Sequence, residues 1–183
     1  NPMDYNTETD FTSGVSNALS KNPDVLFVGG ASEPTALVIK TAREQGFKGG
    51  FAVMDQAKLE EMAAVLGGYE MLEGAIGTLP LIMSDAPGVP GFVEAYTAKY
   101  NKNPGSEAGL NYMAMYLFAK AMEAAGTTSD VQAIHAQFQT AIDNLDDQHR
   151  LYYVTGIDDA GGLVHDVRIG AVENGEVVAI PVQ

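Results

Sequence analysis

An α/β fold built on a parallel sheet is what this sequence predicts. Three observations carry that reading. Short continuous apolar runs recur in the first part of the chain: Val25-Leu26-Phe27-Val28, Phe51-Ala52-Val53-Met54 and Ala75-Ile76-Gly77-Thr78-Leu79. Segments with apolar residues at helical spacing lie between them, and the links are short and marked by glycine or proline. Continuous apolar strands suit the buried strands of a parallel sheet. Strand and helix in alternation with short links favours right-handed crossovers.

Each element has a local reason. Asp10 reads as the N-cap of a first helix, with Phe11, Val15, Ala18 and Leu19 at helical spacing to about Lys21. Asn22-Pro23-Asp24 stops it, and the strand Val25 to Val28 follows, ended by Gly29-Gly30. Pro34, after Ser32 and Glu33, suits the first turn of a second helix, continued by Leu37, Val38, Ala42 and Gln45 and closed by Gly46. The strand from Phe51 ends at Asp55, and a third helix covers about Lys58 to Leu66 before Gly67-Gly68. Beyond the strand Ala75 to Leu79 lies a loop, Pro80 to Gly91, then a helix from about Phe92 to Tyr100. The longest helix spans about Glu107 to Ala125, with Leu110, Met113, Ala114, Leu117, Phe118 and Ala121 on one side. Asp130 caps one further helix running to about Asn144. The end reads as β structure: Tyr152 to Thr155, a turn at Asp159 to Gly162, then Val167 to Val172 and Val177 to Ile180 flanking Glu173-Asn174-Gly175-Glu176, a hairpin signal. There is no internal repeat.

Composition narrows the function. The chain has 183 residues, enough for one domain or two small lobes. Its 24 acidic and 10 basic residues leave a net charge of −14, so neither nucleic acid nor an anionic membrane surface is an expected partner. Cysteine is absent, which excludes disulfides, thiolate metal sites and a cysteine nucleophile. No apolar run reaches the ~18 residues that a membrane span requires. Asn1-Pro2-Met3-Asp4 is not an initiation sequence, and the chain reads as one that has lost its beginning.

Ligands of open parallel sheets bind outside the carboxyl ends of the strands. Here those ends are Gly29 to Ser32, Asp55 and Pro80. Gly29-Gly30 is either a plain tight turn or a close approach to a ligand. It is not a nucleotide loop, because GxGxxG and the P-loop lysine are missing. Asp55 has two readings. It caps the next helix, or its carboxylate holds a ligand's ammonium group by charge-assisted hydrogen bonds; the local pattern by itself favours the cap. The three histidines, His135, His149 and His165, lack ligand spacing and read as surface residues. Asp158 to Gly162 reads as a β-turn, since a calcium loop would need alternating oxygen ligands and a terminal Glu. No GxSxG and no nucleophile set is present, so catalytic residues, metal and cofactor are all expected to be none.

A resemblance adds to this. Asp10-Phe11-Thr12, then Asn22-Pro23-Asp24-Val25-Leu26-Phe27-Val28-Gly29-Gly30, then Ile39-Lys40-Thr41-Ala42-Arg43-Glu44-Gln45-Gly46-Phe47-Lys48-Gly49 resembles the branched-chain amino-acid binding proteins of ABC importers, which are type I periplasmic binding proteins. Glu73-Gly74, Phe92 to Tyr100, Tyr112 to Ala119 and Thr155-Gly156 to Ile180 keep the same order. The resemblance implies two α/β lobes with ligand gripped between them, of which this chain is the C-terminal half. It would hold a three-layer parallel-sheet lobe together with helices belonging to the partner lobe. Residues 1–79 would form the second-lobe core, 80–156 the segment belonging to the first lobe, and 157–183 the β segment that returns.

By the same resemblance, the acidic residue that receives a ligand's α-ammonium falls on Asp55, which shifts its reading from cap to ligand group. The aromatic that covers the ligand falls on Ala31, next to Gly30; Ser32 is a hydrogen-bond donor beside it, and Glu107 falls at the helix bordering the cleft. The implied function is an extracytoplasmic solute-binding component of an ABC importer, taking a small amino acid or related solute. Its partner would be the membrane permease, and its place the periplasm or extracellular face of a bacterial cell. The alternative is a ligand-sensing domain of a receptor or regulator with the same architecture. An enzyme with a doubly wound sheet is a third reading, for which no nucleophile or cofactor loop is found. With the first-lobe sheet absent, the face carrying Leu110, Met113, Leu117 and Phe118 is expected to be uncovered and the fragment to self-associate.

Overall fold

The computed structural model describes Asp4 and residues 10–181. Along the chain, helix α1 (Thr12–Leu19) leads into β1 (Val25–Val28), α2 (Ser32–Glu44), β2 (Gly50–Val53), α3 (Leu59–Leu66) and β3 (Ala75–Thr78). Then come α4 (Val89–Tyr100), α5 (Ser106–Ala125), α6 (Val131–His135), α7 (Phe138–Asp143), β4 (Val154–Ile157), β5 (Leu163–His165), β6 (Ile169–Glu173) and β7 (Glu176–Ile180). The chain divides into two compact units. One contains the residues up to Pro80 and those from Arg168 onward; the other is Leu81–Val167.

The first unit carries a five-stranded sheet in the order β1-β2-β3-β6-β7. As expected, β1, β2 and β3 are parallel, which brings their carboxyl ends to one edge. The antiparallel addition of β6 to β3, with β7 beyond it, is not legible in the sequence. The β6–β7 turn itself is: Asn174 (φ 55°) and Gly175 (φ 76°) both take the left-handed conformation that a two-residue type I′ turn demands. The Glu73 carboxylate accepts the backbone N–H groups of Asn174 and Gly175, each at 3.0 Å, and so ties the hairpin to the turn before β3.

Helices cover one face of this sheet. The register places Leu26, Val28, Phe51, Val53, Ala75 and Val172 together, and they pack on Phe11, Val15, Ile39, Leu59 and Met62. On the other face Val25, Phe27 and Ile76 are 56%, 71% and 46% exposed. Continuous apolar runs imply cover on both faces, but α1, α2 and α3 deliver their apolar stripes to one. Arg43 fastens the lower end of the sheet. Its guanidinium donates to the carbonyls of Phe47 (2.8 Å), Gly49 (3.0 Å), Met71 (3.1 Å) and Glu73, and lies 4.6 Å from the Phe51 ring centre. Partial burial lowers its pKa, opposed by the charge of Glu73.

The second unit is helical around α5. Met113, Leu117 and Ala121 are buried with Ile134, Ala141, Ile142 and Val154. This corrects the expectation for the α5 stripe. Met113 and Leu117 find cover inside the unit, because α6, α7 and β4 pack on that side; Phe118 (47%) is the exposed member of the stripe, and Met115 (70%) lies off it. The single helix expected from Asp130 to Asn144 is two. Gln137 N–H bonds the Ile134 carbonyl three residues back, which tightens the turn between α6 and α7 without glycine or proline to mark it. Asp130 does cap, accepting the Ala133 N–H at 3.0 Å. The expected turn at Asp159 to Gly162 links β4 and β5. There the Asp158 carboxylate accepts the N–H groups of Ala160 (2.9 Å) and Gly162 (2.8 Å), which occupies it as turns do. His149 is more buried than a surface residue: its side chain is 12% exposed and its ring stacks on Tyr116 with centres 3.6 Å apart. His135 and His165 are exposed.

Candidate functional site

The edge formed by the carboxyl ends of β1, β2 and β3 is built in four steps of sequence. β1 ends at Val28, and Gly29-Gly30-Ala31 carries the chain over the edge into α2. Ala31 takes the N-cap position with extended backbone, and its carbonyl accepts the Thr35 N–H at 3.1 Å. β2 ends at Val53, whose partner across the ladder is Val28, so Met54 and Asp55 emerge beside Gly29 and Gly30. The chain then turns at Asp55-Gln56 and enters α3 through Lys58.

Ser32 locks this corner. Its side chain is nearly buried, at 8% exposure. Its hydroxyl accepts the Lys58 N–H at 3.1 Å and lies within donating distance of Glu61 Oε2 (2.5 Å) and the Gln56 carbonyl (3.2 Å). The donor expected to meet a ligand is thus engaged inside the protein, because α3 brings Glu61 to it. Ser32→Ala is expected to lower stability by about 1–3 kcal/mol, since it leaves the buried Lys58 N–H without its acceptor. Urea unfolding followed by circular dichroism checks this; a change near zero would mean that the corner is held by other contacts.

Asp55 does not cap α3. The N-cap position belongs to Lys58, whose own side chain makes no capping hydrogen bond. Instead the Asp55 carboxylate stands 73% exposed, with Oδ1 2.8 Å from the Lys58 ammonium, whose side chain is only 4% exposed. Sequence reasoning missed Lys58 and Glu61. The available signals were a basic residue three positions after Asp55 and an acidic residue three further on, a spacing that on a loop and a first helical turn has no fixed geometry. Glu107 belongs to the second unit, in the first turn of α5. Of the predicted residues the structure therefore gathers Gly30, Ala31, Ser32 and Asp55 at one edge of the first unit.

Two grooves of the second unit are lined by its own side chains. One, of about 410 Å³, lies among Leu117, Phe118, Ile134 and Phe138; the other, of about 620 Å³, among Phe92, Tyr96, Tyr112 and His149. Neither includes a predicted site residue. Among the described residues no group of three or more His, Cys, Asp or Glu side chains is arranged to hold a metal ion. No helix there is long and apolar enough to cross a membrane.

Comparison with known proteins decides the family. The profile of the periplasmic binding protein family matches residues 2–176. The chain belongs to the periplasmic binding protein family. Among solved structures, this periplasmic binding protein is similar to the leucine binding protein LivK of Thermotoga maritima, with 29% identity, a TM-score of 0.76, and 96% of this chain and 49% of that chain covered. It shares its fold with LivJ of Streptococcus pneumoniae, a branched-chain amino acid transporter substrate binding protein solved with isoleucine; there the identity is 20%, the TM-score 0.72, and the coverage 94% and 48%. A putative branched-chain amino acid ABC transporter protein of Rhodospirillum rubrum shows the same fold at 18% identity, with a TM-score of 0.67 and coverage of 95% and 49%. No curated protein matches the chain significantly. The chain spans about half the length of these structures. The family resemblance read from the sequence and the α/β class are both upheld. The family and these neighbours are binding proteins and not enzymes, and membership implies an extracytoplasmic location.

Proposed function

We propose that this chain is the larger part of the second lobe, and a segment of the first, of a solute-binding protein that feeds an ABC importer. The first unit is the second-lobe core, and the second unit is the segment that belongs to the first lobe. The solute is a small amino acid or a close relative, captured between the two lobes outside the cytoplasmic membrane and handed to the membrane permease. In a Gram-negative cell that place is the periplasm.

The observation that carries this reading is the exposed carboxylate of Asp55 at the end of β2, on the edge where three parallel strands end. An anion in that place meets a ligand's ammonium group by a charge-assisted hydrogen bond. Gly30 and Ala31 leave the neighbouring space without a large side chain, and Glu107 is proposed to border the cleft from the other lobe. The likeness to LivK over nearly all of this chain supports the same reading. Calorimetry on the full-length, two-lobe protein with leucine and isoleucine tests it. Asp55→Asn is expected to weaken binding by about 1.5–3 kcal/mol, the range for a hydrogen bond to a charged group. Unchanged affinity in that variant would remove Asp55 from the site.

A further inference from the structure

The ion pair at the site edge is unequal, and the inequality bears on what the site selects. Asp55 is open to solvent at 73% exposure, while Lys58 keeps 4%. Surrounding atoms pack the lysine side chain, which leaves it less room to move than a surface lysine has. Its backbone N–H is held by Ser32, and its chain neighbours Ala57 and Leu59 are both fully buried. Its ammonium is a fixed cation 2.8 Å from Asp55 Oδ1.

A ligand ammonium arriving at Asp55 therefore meets a carboxylate that is already balanced. The two cations would share one anion at close range, and their repulsion falls only as the inverse of distance and of the local dielectric constant. A neutral N–H or O–H donor meets no such repulsion, and the carboxylate still accepts its hydrogen bond. We propose that Lys58 is a specificity-determining residue: it competes with the ligand's ammonium for Asp55 and lowers the site's preference for charged amines over neutral analogues. This rests on Asp55 meeting the ligand, as proposed above. Lys58 acts by its charge on the ammonium beside Asp55 and makes no hydrogen bond to the ligand.

The test compares two probes on the full-length protein by calorimetry. One is leucine; the other is 2-hydroxy-4-methylpentanoate, which keeps the skeleton and the carboxylate but has a neutral hydroxyl where leucine has its ammonium. Their affinity ratio is the readout, because a general loosening of the fold weakens both alike. Lys58→Met and, independently, Lys58→Gln are expected to raise the leucine preference about tenfold or more, as removal of a neighbouring like charge does. Lys58→Arg keeps the cation and should leave the ratio within about threefold of wild type. A ratio unchanged or lowered in both neutral variants overturns the inference. If instead Asp55→Asn alone leaves leucine affinity untouched, the site assignment fails, and that result is read separately from the Lys58 series.

Discussion

On the two-lobe reading proposed above, the 183-residue chain by itself is expected to lose nearly all affinity for the amino acid that the complete two-lobe protein would bind. The argument is one of magnitudes. Association costs at least about 4 kcal/mol in lost translational and rotational freedom. An ion pair in open solvent returns about 0–1 kcal/mol. The Asp55 carboxylate is 73% exposed and already shares Oδ1 with Lys58, so it belongs to that open class. Closure of a second lobe would exclude water and add contacts, and each polar contact strengthens as the local dielectric constant falls. Leucine titrated by calorimetry should give no measurable heat with the lone chain at concentrations that saturate the full-length protein. The lone chain is also expected to self-associate through the sheet face that exposes Val25, Phe27 and Ile76, beside β1, the edge strand among the described residues. Light scattering would show it. A clean monomer that binds leucine with micromolar affinity would overturn the two-lobe reading.

Phe51→Ala is expected to cost the first unit about 3–5 kcal/mol, the range for removing a buried phenylalanine. Phe51 is 1% exposed at the centre of the helix-covered sheet face. Its ring meets Phe47 edge-on, with centres 5.3 Å apart, and lies under the Arg43 guanidinium. That guanidinium is held by carbonyls from Phe47, Gly49, Met71 and Glu73. The surroundings are thus fixed by hydrogen bonds and cannot collapse into the vacated space, which places the cost in the upper part of the range for core truncations. Hydrogen exchange resolves where the loss falls. Protection should drop for the amides of β1, β2 and β3 and hold for α5 and α7, whose core is formed by other residues. Equal loss across both units would show that they unfold as one, and loss below about 1.5 kcal/mol would show that the ring is not interlocked.

How much of this protein was written in local sequence can be judged element by element. The strands at Val25, Phe51 and Ala75, and the helices between them, were legible because apolar runs and their glycine or proline ends act over a few residues. The turn at Asn174-Gly175 and the Asp158 loop were legible for the same reason: left-handed backbone and side-chain-to-backbone hydrogen bonds are local properties. From parallel order followed the position of Asp55 at the sheet edge. What the sequence could not show required partners distant along the chain. The antiparallel docking of β6 on β3 joins Ile76 to Ala171. The Ser32 hydroxyl is occupied because α3 carries Glu61 to it, 29 positions on. The bareness of Phe27 depends on which face the helices choose, and the apolar run around it is the same on either choice. Lys58 beside Asp55 is near in sequence, yet its burial is set by tertiary packing, and burial is what makes it a fixed cation. Periodicity and turn chemistry are short-range and so survive in a string of residues. Desolvation and hydrogen-bond occupancy are properties of neighbours in space, and only the folded chain supplies those.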